Sequence, residues 1–305
     1  MISNDGNHGY FSYYDVWMHH IEDKAPIVFV CIASGETDYN ANGLFQGQSD
    51  IPLNSLGEKQ AEAAGVYLKN IKFDRIYSSD LIRCIQTADA VVKRNSCSPP
   101  GIIKDARLRE KSFGIFEGKP FHEYHNWTDA NGGRNSTIPE GETEEEGFPG
   151  DVVFTNCCNR YVNRLNSLQV IFRMESFLDH LCQDMTENFV KTSSFTTVTS
   201  DDITTQDEAT TREARTDDEP LTFNEIGYPP EMELPHVLLS SHGMFLRILL
   251  QVLRKRYICQ IPKGMHIYRR CPNTGLSGFI FKLTDGKPSH VDYKFVFCDH
   301  HLGDD

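Results

Sequence analysis

The sequence of 305 residues lacks three features that would assign a protein to a class at once. No apolar run approaches membrane-spanning length, and residues 1–26 lack the apolar core of a secretory signal, so we expect a cytoplasmic protein without membrane insertion. No two cysteines have Cys-x-x-Cys spacing; the nine are scattered, which argues against a zinc site and favours reduced thiols. Basic residues are too few, at 30 against 43 acidic ones, for a nucleic-acid-binding surface.

The negative charge is concentrated in one segment. Residues 191–235 contain 11 Asp and Glu and 3 Lys and Arg, a balance of −8, which leaves −5 of the total of −13 for the other residues. Residues 192–233 are rich in Thr, Asp and Glu and have few large apolar side chains, which predicts a mobile surface insertion. Residues 147–169 show no clear helical or strand period and predict a second, irregular insertion. An anion-binding pocket is compatible with the remaining charge.

Hydrophobic periodicity predicts alternating strands and helices. Continuous apolar runs at 27–32, 73–78 and 236–239 predict buried strands, and 277–283 and 291–297 predict closing strands. Helical spacing of apolar residues predicts four helices. The first is capped by Asn54 and has the apolar face Leu56, Ala63, Ala64, Tyr67 and Leu68, and the second has the face Leu81, Ile85, Ala88 and Val92. A long amphipathic helix has the face Val170, Ile171, Met174, Phe177, Leu178 and Leu181, and the last helix has the face Phe245, Leu246, Leu249, Val252 and Leu253.

This order predicts a three-layer α/β/α sandwich with a mostly parallel central sheet. We expect one domain over residues 27–305, interrupted by the two insertions, and an N-terminal extension over residues 1–26.

Polar residues collect where the predicted strands end, which is where ligands bind in open α/β sheets. These groups are Gly35, Glu36, Thr37 and Asn40, with Gln46 and Gly47; Ser78 to Ala88, including Arg83; Ser241, His242 and Gly243; and Asn273, Thr274 and Gly275. Each signal is weak when taken singly. An arginine in the first turn of a helix is usually a solvated charge, a lone histidine after a strand is more often structural than catalytic, and Asn-Thr-Gly by itself is a turn.

Five motifs occur together in the order typical of one family. They are Gly-Glu-Thr-x-x-Asn from Gly35, Asp-x-Pro-Leu-x-x-x-Gly from Asp50, Ser-Ser-x-Leu-x-Arg-x-x-Gln-Thr-Ala from Ser78, Leu-Arg-Glu-x-x-x-Gly-x-x-Glu-Gly from Leu108, and Ser-His-Gly from Ser241. The chain resembles the histidine phosphatase (phosphoglycerate-mutase-like) superfamily over residues 27–143 and from Val170 to about His301. Within it, the sequences around Glu110 and Asn273 look most like those of enzymes that hydrolyse sugar bisphosphates such as fructose-2,6-bisphosphate.

The resemblance implies a role for each matched residue. Glu110 is the acid that protonates the leaving sugar oxygen, and Arg83 and His242 hold the transferred phosphoryl group, whose transfer depends on positioning and charge stabilisation. Asn40 and Asn273 line the pocket. The remaining residues of the implied phosphate-binding or substrate-binding set are Gly35, Glu36, Thr37, Gln46, Gly47 and Thr274. The implied ligand is a small-molecule sugar phosphate, with no cofactor and no metal, and protein partners are not predicted.

The chain departs from the family signature at its first strand. Ala33 and Ser34 stand where the family has Arg and His, which are a phosphate clamp and the nucleophile that forms a phosphohistidine. The serine hydroxyl is a weak nucleophile without a partner base, and its oxygen lies nearer the backbone than an imidazole nitrogen would. We therefore expect impaired catalysis.

Three explanations differ in what they predict. The chain is a pseudophosphatase that binds phosphorylated ligands or proteins; or residues 33 and 34 come from a replaced first exon, with an included intron at 147–169, of an active parent enzyme; or it is a scaffold whose acidic insertion binds a basic partner. We favour the second, because the family match starts cleanly at Gly35. The third ranks last, because acidic runs are usually solvated.

Overall fold

The computed structural model describes residues 25–131, 138–142, 168–190, 234–262, 264–284 and 287–303. In these residues seven strands form one sheet in the order β3-β2-β4-β1-β6-β7-β5. The strands are β1 (Ala25–Ala33), β2 (Arg75–Ser78), β3 (Ile102–Lys104), β4 (His236–Ser241), β5 (Ile258–Gln260), β6 (Leu276–Thr284) and β7 (Lys287–Cys298). Only β6 among them runs antiparallel to its neighbours. The predicted mostly parallel sheet is confirmed.

Six α-helices accompany the sheet within the described residues. They are α1 (Asp38–Ala41), α2 (Ser55–Tyr67), α3 (Ile82–Arg94), α4 (Phe121–Ala130), α5 (Leu168–Met185) and α6 (Gly243–Arg256), and a π-helical turn (Thr186–Val190) continues α5. Three short 3₁₀ turns lie at Ala106–Leu108, Gly114–Phe116 and His300–Leu302. None of the described helices is long and apolar enough to cross a membrane.

The central strand β1 has a core on each side, because successive side chains of a strand point to opposite faces. Ile27, Phe29 and Cys31 pack in one cluster with α5 and α6. Val30 and Ile32 pack in a second cluster with residues of α2 and α3. Both faces of the sheet are thus covered by helices, and the predicted three-layer sandwich is confirmed.

Two helices bury faces that differ from the expected ones. Leu56 is 48% exposed, so its place in the apolar face of α2 was wrong. The buried face of α2 consists of small residues, Gly57, Ala61, Ala64 and Gly65. The helix backbone lies against the β1–α1 loop at Gly57 and against Ala90 of α3 at Gly65, so neither glycine has room for a side chain. The buried face of α3 includes Arg83 and Thr87, whose polar groups find acceptors inside. Ile85 is only half-buried, whereas Val92 is half-buried and packs against the core as expected.

The ends of several elements differ from the expected bounds. Residues 25 and 26 belong to β1, where Ala25 pairs with Leu283 and Pro26 with Lys282, although we expected them in the N-terminal extension. Leu168 begins α5, inside the expected 147–169 insertion. Residues 1–24, 147–167 and 192–233, which hold the rest of the predicted extension and insertions, lie outside the described residues.

The strand order gathers the motif residues at one edge of the sheet. β4 lies between β1 and β2 and is parallel to both, with Ala33 opposite Ser241 and Ser78 opposite Ser240. β6 runs antiparallel to β1 and starts at this edge, with Leu276 opposite Ile32. The carboxyl ends of three strands and the turn before a fourth therefore meet, although they are up to about 240 residues apart in sequence.

Candidate active site

A cavity of about 220 Å³ opens at this edge. Ten of its lining residues come from the predicted set or its motifs: Ala33, Ser34, Asn40, Gln46, Gly47, Arg83, Glu110, His242, Gly243 and Asn273. Its volume is below the roughly 300–1,000 Å³ typical of sites for drug-sized ligands. The cavity therefore suits a compact ligand.

Arg83 lies at the inner end of the cavity and is 1% exposed. Its two terminal nitrogens donate to the backbone oxygens of Ser49 (2.8 Å) and Gly47 (2.8 Å), and its Nε donates to His242 Nδ1 (3.2 Å). A guanidinium has five N–H donors, so two remain after these three bonds. The buried cation is therefore fixed in position and keeps donors for an anion, unlike the solvated charge that an isolated helix-start arginine would be.

His242 is 2% exposed and has protein partners at both ring nitrogens. Nδ1 accepts from Arg83, which can only donate, so in the neutral ring the proton is on Nε2, which donates to Ser79 Oγ (2.9 Å). Burial, together with the positive charge of Arg83, lowers the pKa of His242 well below its ordinary value, so the ring is neutral at neutral pH. For His242 to donate to a phosphoryl oxygen, its Nε2–H group must break the hydrogen bond to Ser79 and form one to the ligand.

The Glu110 carboxylate is turned inward and caps helix α6. Its oxygens accept from the backbone N–H groups of Met244 (3.0 Å), Phe245 (2.9 Å) and Lys111 (2.9 Å). Burial raises the pKa of Glu110 above its ordinary value, although these donors and the charge of Arg83 act in the opposite direction. A carboxyl group with a raised pKa is suited to donate a proton. Glu110 is not a surface carboxylate paired with its neighbour, since Arg109 binds Asp80 in a bidentate ion pair.

Carboxylates of the chain itself engage N–H groups at the start of both flanking helices. Asp50 accepts from the N–H of Ile82, which begins α3 (2.6 Å), and Glu110 occupies the start of α6. These carboxylates engage the N–H groups of Ile82, Met244 and Phe245, so these three donors are already satisfied within the chain. The reason is that each helix end has recruited a carboxylate from a loop of the same chain, which satisfies its unpaired donors.

Ala33 and Ser34 lie on the cavity wall between these groups. Their backbone is held on both sides: Ala33 N donates to Gly275 O (3.2 Å), Ser34 N to Ser241 O (3.0 Å), and Thr274 N to Ser34 O (3.1 Å). The chain path at the family's Arg-His position is thus part of the sheet and its closing turn. The protein therefore departs from the family signature at this position in its two side chains and not in its backbone.

Four residues of the predicted binding set do not line the cavity: Gly35, Glu36, Thr37 and Thr274. Thr37 is fully buried, and its hydroxyl lies within hydrogen-bond distance of the side-chain oxygens of Gln46 (2.8 Å) and Asn40 (3.1 Å). Gly35 lies against α2, where a Cβ would be 2.5 Å from Gly57 O. These residues hold the wall in place, and we propose that they position the lining side chains rather than contact a ligand.

The turn before β6 is fixed by a buried threonine and a histidine. Thr274 has a φ of +51°, and its Oγ1 is 2.9 Å from His301 Nε2. His301 Nδ1 is buried and has no hydrogen-bond partner among the described residues. Burial lowers the pKa of His301 to about 4. A protonated His301 is therefore disfavoured in the folded protein.

This pKa predicts acid destabilisation. Because the folded pKa is below the unfolded value of about 6.5, the stability from His301 is complete above pH 6.5 and is lost as pH falls towards 4. We expect a loss of roughly 1 to 2 kcal/mol, discounted because the ring is partly exposed. The free energy of unfolding, measured with urea at several pH values, should change less with pH over this range for His301→Asn than for the starting chain. His122→Asn, at an exposed site on α4, is the control, and equal slopes for all three proteins would contradict the prediction.

Sequence reasoning missed several lining residues. Arg247 and Arg270 line the cavity, as do the aromatic residues Phe45, Phe113 and Phe121. Arg247 had a readable signal, because it is a charged residue inside the apolar run of α6 and little more than one turn after His242. Glu117 was quoted only within a motif, yet it accepts from Gln48 N, Ser49 Oγ, Phe113 N and Ser112 Oγ, which ties the two loops beside the cavity together.

Solved structures of two other proteins share this fold. The native structure of mycobacterial glucosyl-3-phosphoglycerate phosphatase covers 90% of this chain and 99% of its own, with a TM-score of 0.56 and 20% identity. Phosphoglycerate mutase from Bacillus anthracis covers 92% and 96%, with a TM-score of 0.54 and 18% identity. At such identity the likeness concerns the fold alone, which is phosphoglycerate-mutase-like as expected.

Sequence comparisons extend over most of the chain. Residues 31–147 match the family model described as the histidine phosphatase superfamily (branch 1). Fructose-2,6-bisphosphatase TIGAR B from Danio rerio is 33% identical over 259 residues, which is 83% of this chain and 85% of the relative. Fructose-2,6-bisphosphatase TIGAR from Xenopus laevis is 32% identical over 286 residues, 91% of this chain and 94% of the relative. The chain therefore belongs to the histidine phosphatase superfamily and has TIGAR proteins among its full-length relatives.

Proposed function

We propose that this chain binds a sugar bisphosphate such as fructose-2,6-bisphosphate in the cavity and turns it over poorly. The observation that carries the proposal is the buried Arg83–His242 pair at the inner end of a cavity that Ser34 and Glu110 also line. The names of the TIGAR relatives support the ligand class. A compact cavity with buried donors and one carboxyl group of raised pKa fits a phosphate ester.

The residues present supply binding and acid catalysis. Arg83 and His242 hold the phosphoryl oxygens with charge-assisted and neutral hydrogen bonds, and Glu110 is the proton donor to the leaving sugar oxygen. In the family reaction an imidazole nitrogen attacks phosphorus, the bond to the sugar oxygen breaks, and water then hydrolyses the phosphohistidine. At this step the chain has Ser34, whose Oγ has no hydrogen-bond partner among the described residues that could act as a base.

The chain should therefore bind better than it catalyses. Purified protein mixed with fructose-2,6-bisphosphate should release phosphate near the background rate, while calorimetry detects binding of the same compound. Release at a rate ordinary for an enzyme, on the order of 1 s⁻¹ or faster, would contradict the predicted impairment. Failure to bind both inorganic phosphate and the bisphosphate would contradict the proposed ligand class.

Arg83 should dominate phosphate affinity. We expect Arg83→Ala to weaken binding of inorganic phosphate by roughly 10-fold to 100-fold, the scale of hydrogen bonds to a charged group. Arg94→Ala, at an exposed position of the same helix, removes the same charge and should change the affinity less than twofold. Because Arg83 also satisfies buried carbonyls, Arg83→Lys serves as the variant that retains the charge, and thermal melts verify folding. Identical titrations for Arg83→Ala and the starting chain would remove Arg83 from the phosphate site.

The alternative is a pseudophosphatase whose ligand is a phosphorylated protein. The two functions share Arg83 and His242 and differ in what fits around the phosphate. The cavity of about 220 Å³ accommodates a small molecule, and residues 270–273 of its lining also border a second cavity of about 400 Å³. Competition settles the choice: a phosphopeptide that displaces fructose-2,6-bisphosphate at equal concentration would favour the alternative.

The structure bears on the explanation by a replaced exon. The residues before Gly35 form β1, the strand between β4 and β6, with eight consecutive pairs to β6. An unrelated peptide joined at Gly35 would rarely provide a strand so completely buried on both faces. This observation weighs against the replaced exon that we favoured from the sequence, and it supports the view that residues 33 and 34 are altered positions in a genuine strand. Sequencing the transcript across their codons is the direct test.

A further inference from the structure

An arginine of α5 binds the segment that carries Glu110, although it does not line the cavity. Arg173 Nη1 donates to Arg107 O (2.7 Å), and Arg173 Nη2 donates to Glu110 O (2.9 Å). These two carbonyls lie at the two ends of residues 107–110, which lead from the 3₁₀ turn at Ala106–Leu108 to the cavity wall. One planar guanidinium therefore fixes both ends of this short segment to α5.

Arg173 is itself held in one orientation. Its Nε donates to Glu142 Oε1 (2.9 Å), and in this ion pair the two side chains are only 15% and 10% exposed. Glu142 Oε2 also accepts from Ser112 N (2.9 Å), so the pair contacts the chain on both sides of Glu110. The guanidinium carbon of Arg173 lies 5.4 Å from the centre of the Phe245 ring, within the range of a cation–π contact. Partners at all three nitrogens and at the ring face leave Arg173 little freedom.

The same elements meet again at the Glu110 carboxyl group. Glu110 Oε1 accepts from Phe245 N, and Glu110 Oε2 accepts from Met244 N, both at the start of α6. Arg173 thus contacts the backbone of Glu110 and the ring of Phe245, two residues that are themselves joined by a hydrogen bond. Without Arg173, the carbonyls of Arg107 and Glu110 would lose a charged donor inside the protein, which favours rearrangement of the segment.

Arg107 joins the same segment to α5 without contacting the acid. Its Nη1 donates to Ser176 O (2.9 Å), and its guanidinium forms an ion pair with Asp105. Within the described residues, its side-chain hydrogen bonds reach neither Glu110 nor the start of α6. Arg107 is therefore a matched control for the loss of an arginine between this segment and α5.

The charge of Arg173 also acts on the Glu110 carboxyl group. The titratable and charged groups around that carboxyl group come from α3, α5, α6 and the adjoining loops: Arg83, Cys84, Lys111, Arg173, His242, Arg247 and Cys271. Burial raises the pKa of Cys84 and Cys271 and lowers the pKa of His242, so these three groups are neutral at neutral pH. Burial raises the pKa of Glu110, and its backbone donors and the charges of Arg83 and Arg173 oppose that rise. Loss of the Arg173 charge alone would thus shift the titration of Glu110 to higher pH.

We propose that Arg173 is a positioning residue for Glu110, which holds the backbone of residues 107–110 so that the carboxyl group stays at the start of α6 and borders the cavity. The inference rests on the proposed function, in which Glu110 is the proton donor. Arg173 does not line the cavity and therefore acts through Glu110. The placement matters because a general acid contributes roughly 10²-fold to 10⁴-fold only within hydrogen-bond reach of the oxygen that it protonates.

The position of Glu110 can be read at the amide of Met244 without any ligand. The full chain is produced with isotope-labelled methionine for nuclear magnetic resonance, and the signal of Met244 is identified among the seven methionines by its loss in Met244→Leu. In the starting chain the chemical shift of this amide proton should change in one step with pH, because its acceptor Glu110 gains a proton. Glu110→Gln should abolish the step.

The amplitude of this step reports the placement of the carboxyl group, and its midpoint reports the charge around it. Arg173→Gln should reduce the amplitude roughly twofold or more, because a hydrogen bond weakens steeply once its distance and angle leave their ordinary range. Arg173→Lys retains the charge and loses the planar fork that bridges both carbonyls, so its amplitude should be intermediate. Glu142→Gln should give a smaller reduction than Arg173→Gln, because Arg173 keeps its carbonyl partners. Arg107→Gln removes the same charge and should leave the amplitude unchanged.

Thermal melts verify that each variant is folded, and Arg173→Lys and Glu142→Gln decide the question if Arg173→Gln does not fold. Full amplitude in the folded variants would overturn the inference: Arg173 is then merely structural if the midpoint is unchanged, and acts by charge alone if the midpoint moves to higher pH. Equal reductions for Arg107→Gln and Arg173→Gln would show a general loosening of the segment and would also overturn it. The same holds for a step that survives Glu110→Gln.

This test is independent of ligand binding, so its failure differs from failure of the proposed function. A starting chain that binds neither inorganic phosphate nor fructose-2,6-bisphosphate would contradict the proposed function, while the response of Met244 would still show whether Arg173 holds Glu110 in place. A chain that binds both ligands and keeps the full step in Arg173→Gln would contradict only the role of Arg173.

Discussion

Ala33→Arg together with Ser34→His should convert a chain that we expect to be essentially inactive into a phosphatase. The cavity is lined by Glu110, the proposed acid, by Arg83 and His242, the proposed phosphate ligands, and by Ala33 and Ser34. Groups that act as a unit are strongly non-additive, so the loss of a nucleophile conceals the value of the others; in a serine protease the loss is on the order of 10⁶-fold. We expect a gain of roughly 10³-fold or more in phosphate release from fructose-2,6-bisphosphate.

The single changes should separate the two functions. Ser34→His alone should give partial activity, since one phosphate clamp is still absent. Ala33→Arg alone should improve binding and leave turnover near background. The repaired chain, quenched with base during turnover, should carry acid-labile phosphate at position 34. Adding Glu110→Gln should slow hydrolysis most for substrates with poor leaving groups, because these depend most on protonation.

A control of similar size separates the chemistry of the new side chains from their effect on cavity volume. Ala33→Arg with Ser34→Gln has a similar bulk and no nucleophilic nitrogen, so it should fold, bind phosphate and remain inactive. Melting temperatures verify that each variant is folded, which matters because Ala33 is only 2% exposed. If the starting chain hydrolyses the bisphosphate as fast as the repaired one, Ser34 or another group is a competent nucleophile, and the predicted impairment is wrong.

Gly57→Ala should destabilise the fold strongly for so small a change. A Cβ at Gly57 would lie 2.0 Å from Glu36 O and 2.7 Å from Glu36 N, both backbone atoms that cannot rotate away. Alanine is favoured over glycine in a helix by about 1 kcal/mol, but forcing α2 away from the β1–α1 loop should cost more, for a net loss of roughly 2 kcal/mol. The melting temperature should fall by about 5 °C.

Gly101→Ala is the matched control. No heavy atom lies within 4 Å of a Cβ at Gly101, so the stability should change by less than about 0.5 kcal/mol. A Gly57→Ala protein that melts with the starting chain would mean that α2 can move away at little cost. In that case a glycine at position 57 would not be required by the close approach of α2 and the β1–α1 loop.

The sequence by itself determined the layers of this fold and the order of its motifs. A continuous apolar run such as Val28 to Ile32 can only be buried on both faces, and the helical periods of α5 and α6 fixed which elements cover the sheet. It also showed that the Arg and His of the family signature are absent, because Ala33 and Ser34 stand next to motifs whose order is specific. These features are local in sequence or periodic, so they can be read without coordinates.

Only the tertiary structure decided which side chains meet and what each is bound to. That Asp50 and Glu110 occupy helix starts, that Leu56 faces outward and that Arg247 and Arg270 share a cavity with Arg83 all depend on contacts between residues far apart in the chain. The physical reason is that buried polar groups take whichever partners the packing provides, and the pKa of His242 or Glu110 follows from that burial. The periodicity of a sequence shows which face of a helix or strand is apolar, whereas the strand order determines which side chains face each other across the cavity.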